Sequence, residues 1–179
     1  MSPEELVERS GEQMRAAGWA VAPVESSHAR GYVAYHLSKF RIRWIGKLDL
    51  SVFVVATPAL TVDALTSITE WSVDRTRREK GVPRDFIGVA VALAMVTSTP
   101  DPRVRSVVEA GLRPSALHVL NNVSDIFIER AIVDADKRVV YGNTRRLTWG
   151  ATYRPWIHSQ LKAVLPLPDA TWPWALPAD

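Results

Sequence analysis

Lys39, Arg41 and Arg43 alternate with Phe40, Ile42 and Trp44. In an extended chain that period of two sets three cations on one face and three large apolar groups on the other. Laid along a phosphate backbone, such a strip would neutralise charge without reading base sequence. The same pattern also describes an ordinary strand with one face packed and one in water, and this plainer reading is preferred. A second basic group, Arg145, Arg146 and Arg154, falls in a stretch from 137 to 154 that holds no acid, as residues 26 to 48 hold none. If the two stretches converge, these six residues form a face for an anionic partner. If they do not, they are a scattered solvated surface, the preferred alternative.

Other chemistries lack their residues. Histidines occur at 28, 36, 118 and 158, and no two have the helical spacing of a metal site with a carboxylate between them. There is no cysteine, no Gly-x-Ser-x-Gly elbow and no glycine-rich strand-to-helix loop, so no metal and no cofactor are expected. The tryptophans divide by position. Trp19, Trp44, Trp71 and Trp156 fall on apolar faces and read as core, whereas Trp149, Trp172 and Trp174 lie on no periodic face. These three are the candidate contacts with a partner or with a groove of the chain's own body. Folding back in cis is the preferred outcome, because an exposed indole pair is costly to leave wet.

The elements that must position these residues follow from the apolar spacing. With 179 residues, 47% hydrophobic and 23% charged, one domain with a full core is expected. The opening "MSPEELVERSGEQ" is acidic and polar, unlike a secretory leader, and the apolar run "FIGVAVALAMV" is about half of the ~20 residues a membrane helix needs. Cytoplasm is therefore the expected location, with no membrane partner.

Ser2, Pro3 and Glu5 form a capped helix start, with Leu6, Val7, Met14 and Ala17 on its inner face and Gly18 at its end. Strands are predicted in "WAVAPV", "YVAYHLS", "FRIRWI" and "LDLSVFVVAT", with turns near Ser38-Lys39 and Gly46-Lys47. Thr61 opens a helix along Val62, Leu65, Ile68 and Trp71 that "DRTRREKG" should end. A buried strand follows in "GVAVALAMVTS", then a helix along Val104, Val107, Val108 and Leu112. A hairpin around Asp134 to Lys137 and a last helix from near Pro155, with Trp156, Ile157, Leu161, Val164 and Leu165 inward, complete the order. The fold class is α/β, with a mixed sheet flanked by helices and at least one parallel crossover. Residues 1–165 form a single domain and residues 166–179 an extended tail rich in Trp and Pro.

The arrangement of "AAGWAV", strands, "GKLDLSVFVVAT", a helix and "VAVALAMVTSTPDPRVRSVVEAGL" resembles the restriction-endonuclease-like scaffold of the PD-(D/E)xK nucleases over roughly residues 5 to 112. The resemblance implies a metal-binding Asp on one strand and an acid, a spacer and a lysine on the next, holding a divalent metal beside a phosphate. Asp49 stands near the place of the first, while Val55 and Thr57 occupy the places of the acid and the lysine. The implication is a scaffold without the activity. The function expected from the sequence is a non-catalytic binding or protein-interaction domain, with a protein partner or self-association. The alternatives are a nucleic-acid-associated protein on a degenerate nuclease-like scaffold, and a small-molecule-binding domain with its pocket between sheet and tail.

Overall fold

Ser2 accepts the Glu5 amide on its Oγ at 3.1 Å and Pro3 takes the first helical position, so α1 runs Pro3–Ala16. The Glu5 carboxylate, expected to turn back toward Ser2, instead pairs with Arg9 at 2.9 Å. Gly18, at φ 78°, ends the helix: its N–H reaches the Arg15 carbonyl and the Trp19 N–H that of Met14. The structure, a computed structural model, describes residues 1–39, 48–80, 88–111, 126–143 and 153–174, with 36–39 and 80 as backbone.

Three strands follow as an antiparallel meander, β1 (Val21–Glu25), β2 (Arg30–Lys39) and β3 (Leu48–Ala56). Helix α2 (Val62–Lys80) crosses to β4 (Gly88–Thr97), parallel to β3, and α3 (Pro102–Ala110) crosses to β5 (Phe127–Asp134), parallel to β4. Strand β6 (Val139–Gly142) returns antiparallel, and α4 spans Arg154–Val164. The strands stand in chain order across one six-stranded mixed sheet. Helices α1 and α4 pack on one face and α2 and α3 on the other, giving an α/β/α sandwich.

The central strand shows why the faces differ. In β4, Val91, Leu93 and Met95 point toward α2 and α3, while Ala90, Ala92 and Ala94 point toward α1 and α4. Alternate small residues leave room on the second face for longer side chains to reach the sheet. Ala92 lies in register with Glu129 of β5 on that face. Ala92→Leu should therefore overpack the space above Glu129 and cost about 1–3 kcal/mol in urea denaturation.

Several local expectations change. No turn occurs at Ser38-Lys39: Ser38 pairs with Asp49 and Lys39 with Leu48 in the β2–β3 ladder. The polar run after Trp71 does not end α2, which continues to Lys80 on strong helix formers, with Arg75 and Glu79 paired at 3.2 Å. Val62 and Val107, expected in packed stripes, are exposed. Ala17 is exposed as well, while Leu6, Val7 and Met14 are buried. The hairpin turn falls where expected, and Asp134 Oδ1 accepts the Lys137 amide at 3.0 Å.

Candidate functional site

The proposed basic face does not survive at Arg154. The structure buries this residue on α4, in the stripe it shares with Ile157, His158, Leu161 and Val164. Its Nε donates to Glu129 Oε2 at 3.0 Å, and only 1% of Glu129 is exposed. A charge that the sequence offers to an outside anion is thus spent inside. Lys39 closes the backbone of β2; its side chain, and Arg41, Arg43, Arg145, Arg146 and Trp149, lie outside the described residues.

Glu129 holds a second partner. His158 Nε2 lies 3.2 Å from Oε1, and because a carboxylate accepts, that nitrogen carries the proton toward it. Arg154 and His158 are four residues apart on α4, so both reach one carboxylate from the same helical face. The other side of the imidazole is covered by Trp174, stacked at 3.6 Å between centroids and 10° between planes. Burial holds the His158 pKa below the usual histidine value, against the upward pull of Glu129.

Trp174 belongs to the segment that follows α4. Its indole N–H donates to the Asn143 carbonyl at 3.2 Å, and its ring lies so close to Gly142 that a Cβ there would run into Cζ2. Just before it, the Val140 N–H reaches Thr171 O at 2.9 Å and the Thr171 N–H reaches Arg138 O at 3.1 Å, so the segment lies along the outer side of β6. Trp172 lies 5.8 Å from Trp174. In the described residues both tail tryptophans therefore meet the chain's own body. Among the described residues the Trp174 ring lies between this segment and the sheet, over Gly142.

An open cleft of about 500 Å³ lies elsewhere, where the first turns of α1 cross the β1–β2 hairpin. Val7 and Ala56 supply its buried apolar surface and Pro23 an exposed part of it, at the carboxyl ends of β1 and β3. Glu4, Glu8 and Glu25 line it with one cation, Arg30. Strand pairing sets Tyr32 opposite Pro23, and its hydroxyl donates to the Glu8 carboxylate, 2.7 and 2.8 Å from the two oxygens. Arg15 sits over the Tyr32 ring at 4.7 Å. Nothing in the sequence reading singled out this cleft; Glu4 and Glu8, one helical turn apart, were its only local trace.

The residues compared above with a nuclease motif do not meet. Asp49 and Val55 belong to the single strand β3, about 20 Å apart at ~3.3 Å per residue. β2, the strand before it, carries neither Asp nor Glu. Among the described residues no three His, Asp or Glu side chains group as a metal site, and no helix is long and apolar enough to cross a membrane. Compared with known proteins, the chain matches no protein-family model, no curated sequence and no solved structure.

Proposed function

We propose that this chain is a non-catalytic binding domain that takes a peptide segment bearing basic side chains in the cleft between α1 and the β1–β2 hairpin. The observation that carries the reading is the lining of that cleft: three glutamates against one arginine around apolar Val7, Pro23 and Ala56, in a chain whose net charge is +3. A local sign opposite to that of the whole selects cationic groups over the general surface. The apolar part accepts the body of the ligand, and the volume falls within the roughly 300–1,000 Å³ usual for binding sites. The carboxyl ends of strands are also where open α/β sheets commonly receive ligands. The described pair best suited to acid–base work, Glu129 and His158, is sealed by Arg154 and Trp174, which favours a structural role for it.

Selection from a random 12-residue peptide library on the immobilised chain tests the reading. Recovered peptides should carry Lys or Arg beside apolar residues, and Glu8→Lys combined with Glu25→Lys should weaken them at least tenfold. Peptides without basic residues, or equal binding to the doubly substituted chain, would overturn it.

A further inference from the structure

We propose that the stack of His158 on Trp174 is an acid-sensitive latch: protonation of His158 frees the segment Ala170–Trp174 from the body and uncovers the imidazole and the outer side of β6. The charged groups that act on His158 are Glu129 of β5 and Arg154 of its own helix. Glu129 already uses Oε2 on the Arg154 guanidinium at 3.0 Å, so its charge has a partner before the imidazole is counted. A proton on His158 adds a second cation beside one carboxylate, in a place closed to water. Burial opposes that proton more than Glu129 favours it.

Opening relieves the conflict. With Trp174 withdrawn, one face of the imidazole gains solvent, and the proton is bound as in an exposed histidine. The attachment lost lies in one short stretch: the indole bond to Asn143, the stack on His158, the packing of Trp172 and Trp174 against the core and the two backbone bonds joining Thr171 to β6. The direction follows from linkage. The closed form binds its proton at a lower pH than the open form, whose value is near 6.5. Above that value both forms are neutral and the latch has its full stability. Below it the open form protonates first, and opening rises about tenfold per pH unit while the closed form stays neutral.

Hydrogen exchange of the Val140 and Thr171 amides on the full chain, corrected for intrinsic pH dependence, reads the opening directly. Between pH 7.5 and 5.5 both amides should lose protection in the wild type, by at most about tenfold. They should keep it in His158→Gln, whose amide still donates to Glu129 but does not titrate. An NMR titration of the His158 ring in the wild type should give a midpoint below 6.5, and this readout does not depend on the variant folding. A midpoint at or above 6.5 would mean that attraction of the cation to the indole face prevails, and would overturn the latch. So would unchanged protection in the wild type, or the same loss in His158→Gln.

Discussion

Glu129→Ala should lower the free energy of unfolding by about 3–5 kcal/mol, among the largest effects of any single substitution in this chain. The cost is not the value of the salt bridge itself, since a buried pair gains little over well-packed apolar groups. It comes from what is left behind: the Arg154 guanidinium keeps its place in the buried stripe of α4 after the Glu129 carboxylate is gone. The His158 N–H loses its acceptor in the same step. Replacing all three residues together, as Glu129→Met, Arg154→Met and His158→Leu, should cost far less than Glu129→Ala alone, because the polar partners are then removed together with the carboxylate. Urea denaturation of the two variants gives the comparison. A loss under about 1 kcal/mol for Glu129→Ala would show that water or a shifted side chain replaces the carboxylate.

Trp174→Ala is the second large effect, expected at about 3 kcal/mol. The ring is 9% exposed, stacks on His158 and fills the space above Gly142. A large aromatic removes on the order of 150–250 Å² from water, about 4–6 kcal/mol at ~25 cal/mol per Å², before the cost of ordering the segment is subtracted. Gly142→Ala should act on the same contact from the other side, because its Cβ would enter the indole ring. The two losses should not add: in the Trp174→Ala background, Gly142→Ala should cost a few tenths of a kcal/mol. Additive losses would place Trp174 elsewhere in solution.

Local sequence carried most of the fold. Ser2, Thr61 and Asp101 each accept an amide at the start of a helix, and side-chain capping is a matter of neighbours in the chain. The alternation in "GVAVALAMVT" marks a strand buried on both faces, and it also shows which face is lined by alanines. What depends on residues far apart was not legible. Arg154 read as surface because its charge was weighed without Glu129, 25 positions away. A signal was present in "FIERAIV", where one acid shares a strand face with Ala131 and Val133, and in Arg154 and His158 spaced four apart on an apolar stripe. An acid buried in a sheet needs a cation, and that stripe supplied it. The cleft was hidden for the same reason: Glu8 and Glu25 become neighbours only when α1 lies across the hairpin.

The central claim is that ligand is taken in the cleft and that the Glu129 cluster serves structure. An amide and indole NMR map of the labelled chain, titrated with a peptide recovered by the selection above, tests it most directly. Shifts are expected at Glu4 to Glu8, Val24 to Tyr32 and Ala56, with the Trp174 indole N–H unmoved. Shifts centred on the Trp172 and Trp174 indoles, or a selection that yields no basic peptide to titrate, would contradict it.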